Sequence, residues 1–271
     1  MLSFRFVKPL TWLACLPLLA ACATADVVRP EVVQDLAPTG RLRAAINLGN
    51  PVLAQKDPAS GELRGISVDL ARELGRRLAV PVELIAYDAA GKVTDAVKTG
   101  AWDIAFVAVD PVRAMEIGFT PPYVVIEGTY LVPADSPLRT IADVDRDGVR
   151  VAVSTKSAYD LYLTRTLKRA QLVRAPSPPA SIELFMKERL EAAAGVKQPL
   201  VALAQSNPGL RVIDGRFMLI EQAMATPRSR QIGARYLRGF IEEMKESGFV
   251  ASALQRSGQR DAAVAPPAPK P

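Results

Sequence analysis

No histidine occurs in this 271-residue chain, and its two cysteines, Cys15 and Cys22, both fall near the amino terminus. Beyond Cys22 there is no thiol and no imidazole. Disulfides, zinc sites of the Cys/His kind and Ser-His or Cys-His nucleophilic arrangements are therefore excluded from the body of the protein. No metal site or cofactor is expected. The formal charge of +6 is spread along the chain, with no dense Lys/Arg block and no RNA-binding aromatic motif. A surplus of this size is ordinary for a soluble domain and points to no nucleic-acid partner.

A membrane-spanning run is missing too. Leu10 to Ala20 is apolar but too short to cross a bilayer as a stable helix. With Arg5 and Lys8 before it and small residues after it, this run reads as an export signal. Two cleavage sites compete. Leu19-Ala20-Ala21-Cys22 has the shape of a bacterial lipobox, which would leave Cys22 acylated at the mature N-terminus. Ala23-Thr24-Ala25 before Asp26 has the small-x-small shape of an ordinary site. The lipobox is the more demanding pattern and is preferred, so residues 1–21 are taken as a lipoprotein signal and 22–39 as a tether.

With 49% hydrophobic residues, the remaining chain has ample material for a core and the length for one large domain or two smaller ones. Arg41 to Asn47 reads as a strand and Pro51 to Gly65 as a turn-rich loop. Ile66, Leu70, Leu74 and Leu78 recur at four-residue intervals, which marks one face of a helix. Val82 to Tyr87 and Asp103 to Val109 are strands with a short helix, Val93 to Thr99, between them. Such alternation predicts a mostly parallel sheet flanked by helices. After Pro133 the pattern resumes: strands at Val149 to Val153, Gln171 to Arg174 and Leu210 to Ile213, and a helix at Ser181 to Leu190. Ser157-Ala158-Tyr159-Asp160 has the form of a capping box. A closing helix runs from about Arg228 to Ser247, stopped by Gly248. The Pro/Ala-rich residues 259–271 are expected to be disordered.

The most informative stretch is Gly100 to Tyr130. It reads as a buried strand, a polar turn carrying Asp110 and Arg113, and an extended run entered through Pro121 and Pro122. A cation just past the carboxyl end of a buried strand is where α/β sheets bind small anions. Arg113 is the prime candidate on that ground.

Gly65-Ile66-Ser67-Val68-Asp69-Leu70-Ala71, Gly100-Ala101-Trp102-Asp103-Ile104, Arg113 and Phe119-Thr120-Pro121-Pro122-Tyr123 stand in order and at about the spacing of a known family. The chain resembles the bacterial extracellular solute-binding proteins of the polar amino-acid type (family 3), which serve ABC transporters. The likeness covers roughly residues 40 to 255 and is stronger in the first half. It implies an α/β, two-lobed, periplasmic-binding-protein-like fold of type II, with two crossover strands and an interlobe cleft. The chain is expected to cross near Tyr123 to Leu131 and near Phe217 to Ala225. Lobe 1 would be residues 40–124 plus 222–258, lobe 2 would be 125–221, and a single continuous sheet is not expected. The resemblance also implies a periplasmic protein that partners a membrane ABC permease, expected as a monomer and, by the lipobox, anchored through Cys22.

By the same resemblance, Arg113 holds a ligand carboxylate, as a guanidinium fork suits that planar anion. Ala108 contributes backbone groups to it, and Ser157 either grips the ligand or is a plain N-cap. Asn50, Asp110 and Lys156 are possible neighbours. Three departures stand out. Asp110 lies where the family has Thr or Ser, so it either orients Arg113 or meets a cationic group on the ligand. The loop Gly49 to Leu53 lacks the usual stacking aromatic. Val196 or Lys197 falls where the family's Asp takes an α-amino group, and neither can accept from an ammonium.

The expected function is therefore capture of a small carboxylate-bearing solute, without chemistry. Two alternatives stay open. One is a dehydratase-like enzyme on this scaffold, with Asp110, Glu127 or Glu191 as general acid. The other is a receptor that senses the ligand without importing it.

Overall fold

The computed structural model describes residues 28–259 and 262–269. The expected export signal, both cleavage sites and Cys22 lie outside the described residues.

The first element corrects the tether. Pro30 occupies the first turn of helix α1 (Pro30–Leu36), where a missing N–H costs nothing, and Val32 and Leu36 are buried. Then come β1 (Leu42–Asn47), a small hairpin of β2 (Gln55–Lys56) and β3 (Leu63–Arg64), α2 (Ile66–Leu78), β4 (Val82–Tyr87), α3 (Ala90–Asp95) and β5 (Ile104–Ala108). The four apolar residues that mark α2 in the sequence are all buried on it. Gly65 precedes α2 with φ of +115°, and a Cβ there would lie 2.5 Å from the Leu53 carbonyl oxygen. Only glycine fits.

β1 lies between β4 and β5, parallel to both. The Gly-Ala-Trp-Asp-Ile motif locks this sheet. Trp102 is buried and donates its indole N–H to the Val93 carbonyl at 2.9 Å. Asp103 is fully buried and accepts from the backbone N–H of Arg43 at 2.9 Å and from its guanidinium at 2.8 and 3.0 Å. Arg230 reaches the same carboxylate at 2.8 Å.

The chain next crosses on one long strand, β6 (Ile117–Pro133). It builds the second lobe from β7 (Arg150–Ser154), α4 (Ala158–Thr166), β8 (Gln171–Ala175), α5 (Pro178–Lys187), β9 (Ala192–Val196), α6 (Lys197–Ser206) and β10 (Leu210–Val212). It returns on β11 (Met218–Pro227) and closes with α7 (Gln231–Glu246) and α8 (Phe249–Arg256). Gly248, at φ of +76°, stops α7 as the sequence predicts, and the short helix α8 follows it. α1 docks on α7, with Leu36 so near Gly233 that a Cβ there would meet it at 2.4 Å.

The two lobes have separate cores. One gathers Leu42, Leu70, Phe106, Leu237 and Phe240; the other gathers Tyr130, Val151, Leu163 and Ile213. Both crossovers fall where the sequence places them. The sheet does not divide, however. β6 and β11 pair with each other along most of their length, and each also pairs within a lobe, so hydrogen bonding runs unbroken in the order β4-β1-β5-β11-β6-β9-β7-β8. The expectation against a continuous sheet is corrected by this pairing.

The tail is a further correction. β12 (Ala263–Val264) pairs antiparallel with β6 at Val124 and Val125. Ala265 is buried and donates its N–H to the Tyr123 carbonyl at 3.0 Å, while the Lys245 ammonium donates to the carbonyl of Pro266 at 2.9 Å. An open strand edge supplies backbone partners whatever the side chains, so a Pro/Ala composition does not prevent docking.

Candidate functional site

β5 ends at Ala108, and a turn carries the chain into a short 3-10 segment, Arg113–Met115. This brings Arg113 into the cleft between the lobes, where it is 5% exposed. One Nη donates to the Ala108 carbonyl at 2.8 Å and the other to the Lys156 carbonyl at 2.9 Å, so both lobes hold the guanidinium. The buried Nε has no partner. Burial pulls the Arg113 pKa down to about 10, against the opposing field of Asp110. Ala108 thus positions the arginine through its carbonyl oxygen, a group that would repel an anion.

Asp110 is placed differently from either sequence expectation. One carboxylate oxygen accepts the Val112 N–H at 2.8 Å and the other takes Arg165 from α4 at 2.9 Å. It pairs with Arg165 while its field still reaches Arg113, and it does not line the cavity. Lys156 has φ of +57°, and its ammonium donates to both oxygens of Asp95 at 2.7 and 2.8 Å. It too is absent from the cavity wall. Together, Asp110–Arg165, Asp95–Lys156 and Arg113 on the Lys156 carbonyl tie lobe to lobe. Gly91 permits this approach: a Cβ there would come within 2.7 Å of the Thr155 carbonyl oxygen.

Ser157 is the N-cap of α4 and accepts the Asp160 N–H at 3.0 Å. The box is half formed, because the Asp160 carboxylate takes the N–H of Lys156, not that of Ser157. Ser157 and Asn50 do line the cavity. Asn50 is 5% exposed, and its buried Oδ1 is unpartnered.

The cavity measures about 40 Å³. Around Arg113 it presents the amides of Asn47, Asn50 and Gln222, the hydroxyls of Ser154, Ser157 and Tyr159, and an apolar wall that includes Val196 and Ile220. Among the described residues that line it there is no Asp or Glu. Burial pushes the Tyr159 phenol up to about 12, against hydrogen bonds from Ser157 and Ser154. Asn47, Ser154, Tyr159 and Gln222 escape sequence reasoning, since a lone polar residue on a buried strand, or in the first turn of α4 for Tyr159, has no spacing signal. The one available hint was Gln222, a polar residue inside the return crossover.

The two other candidate acids stand elsewhere. Glu127 pairs with Lys197 at 2.6 Å and Arg216 at 2.7 Å, and Glu191 pairs with Arg150 at 2.9 Å. These cations hold both carboxyls below the ordinary range. Val196, at the end of β9, faces the cavity, while Lys197 is drawn away onto Glu127.

Residues 42–259 match the model of the bacterial extracellular solute-binding proteins, family 3. Several solved structures share the fold at low identity. The solute receptor for L-cysteine of Neisseria gonorrhoeae is 22% identical, with a TM-score of 0.73 over 83% of this chain and 92% of that one. An amino acid ABC transporter substrate-binding protein of Streptococcus pneumoniae bound to L-arginine is 19% identical, with a TM-score of 0.71 over 83% and 97%. An ancestral amino-acid-binding protein, a precursor of cyclohexadienyl dehydratase, is 21% identical, with a TM-score of 0.69 over 83% and 98%. No curated protein sequence matches the chain significantly. Among the described residues, no helix is long and apolar enough to cross a membrane.

Proposed function

The chain belongs to the bacterial extracellular solute-binding proteins, family 3, and from that premise we propose that it captures a small carboxylate-bearing solute between its lobes for an ABC permease. One observation carries this reading: Arg113 is a buried cation whose bonds go only to carbonyl oxygens and whose Nε is left without an acceptor. A buried charge lacking a counter-ion is costly, and a carboxylate arriving in the cleft would supply both the charge and the missing acceptor. Asn50 and Ser157 would contact the same solute. Lobe 1 is taken as residues 40–124 plus 222–258, now joined by α1 and the docked tail, and lobe 2 as 125–221.

The protein is proposed to act as a monomer outside the cytoplasm, anchored through acylated Cys22. Intact-mass analysis of the exported protein tests the anchor: a chain beginning at lipidated Cys22 supports it, and one beginning at Asp26 rejects it. For the solute, calorimetric titration with small carboxylates against their amides is the test. Binding of acids but not amides, lost in Arg113→Ala, is the expected result. A dehydratase-like role would need a carboxyl group facing the cavity, and Asp110, Glu127 and Glu191 are all paired with cations and do not line it.

A further inference from the structure

We infer that the solute is a small hydroxy acid carrying a single negative charge, in place of a zwitterionic amino acid; this rests on the reading of Arg113 as the anion anchor. The argument begins with the charges around the cleft. Asp110 is neutralised by Arg165, and Lys156 by Asp95. Over these two pairs and Arg113 one positive charge is in surplus, and Arg113, 5% exposed, makes no ion pair and donates only to carbonyl oxygens. A monoanion brings the site to neutrality. A zwitterion brings no net charge, so the surplus stays, and its ammonium sits in the same poorly solvated space as the guanidinium. No Asp or Glu among the described lining residues is there to receive that ammonium, and Val196 faces the cavity as an apolar wall.

Asn50 supplies the second, independent observation. Its side-chain oxygen is buried without a donor, and leaving a buried acceptor unpaired is expensive. A ligand hydroxyl both donates and accepts, so it suits either end of the amide without adding charge. The cavity is small, about 40 Å³, which favours a carboxylate with a short hydroxylated stem against Val196 and Ile220 over a bulky one.

Matched three-carbon ligands separate these elements: lactate, propionate and alanine, titrated calorimetrically into the exported protein. A bulky set of the same three types, phenyllactate, phenylpropionate and phenylalanine, runs in parallel. Lactate is expected to bind on the order of 10-fold tighter than propionate, the scale of one unpaired buried acceptor. Its margin over alanine should be about 100-fold or more, and the bulky set should bind more weakly throughout. Asn50→Leu should abolish the preference for lactate over propionate, whatever it does to the affinity of both. Alanine binding as tightly as lactate, propionate equalling lactate, or a preference for the bulky set would overturn the inference while leaving Arg113 as an anchor. If no acid in either set binds, the anchor reading falls with it.

Discussion

At the amino end of β5, Asp103 is fully buried and meets two guanidiniums, those of Arg43 and Arg230. At the carboxyl end of the same strand, Arg113 is almost as buried and meets only carbonyl oxygens, with Nε left over. At the first site every buried charge faces one of opposite sign, Asp103 bridging Arg43 on β1 to Arg230 before α7. On the proposed reading the second is completed by a ligand. Burial of a charge is common to both ends; the presence or absence of an ion-pair partner is what separates them.

That contrast can be broken in order of expected effect. Asp103→Ala removes one partner of a buried ion cluster and strands two arginines, so it should cost about 3 to 5 kcal/mol in urea unfolding. A loss below about 1 kcal/mol would mean the cluster is no lock. Arg113→Ala should cost about 2 to 5 kcal/mol of carboxylate binding by calorimetry, the range for breaking a buried charge pair at an interface.

The docked tail comes next. A chain ending at Gln259 loses the β12 ladder, the Ala265 contact and the Lys245 bond to Pro266, and should be destabilised by about 1 to 2 kcal/mol, a few net hydrogen bonds. Unchanged unfolding would show that the tail docks without consequence. Smallest is Arg165→Ala. Its partner Asp110 is buried but Arg165 is 40% exposed, so the pair contributes at most about 1 kcal/mol. The expected signature is a larger radius of gyration by small-angle scattering without ligand, as one of the ties between lobes is gone.

How far the sequence could be read follows the same physics. α2 and the strands around it were legible because their apolar residues repeat at the spacing of a single buried face. Arg113 was legible from its place after a buried strand. β9 and the helix that follows it were not: Ala-Ala-Ala-Gly-Val has neither alternation nor bulk, and its burial is imposed by β6 and β7 on either side. Asp110 looked like part of the site because its partner, Arg165, lies 55 residues away and no local pattern connects them. The tail was misread because composition reports side chains, whereas its docking runs through backbone groups. Asn47, Tyr159 and Gln222 face the cavity through tertiary placement alone.

The central claim, that Arg113 is kept unpaired for a ligand, is tested most directly by thermal unfolding of the wild type and Arg113→Gln, each with and without saturating lactate. Without ligand the two should be within about 1 kcal/mol, or the variant more stable, since it buries no uncompensated charge. With lactate, only the wild type should shift upward, because binding to the folded state alone raises its melting temperature. A variant that is several kcal/mol less stable without ligand, or one that shifts with lactate as the wild type does, would contradict the account.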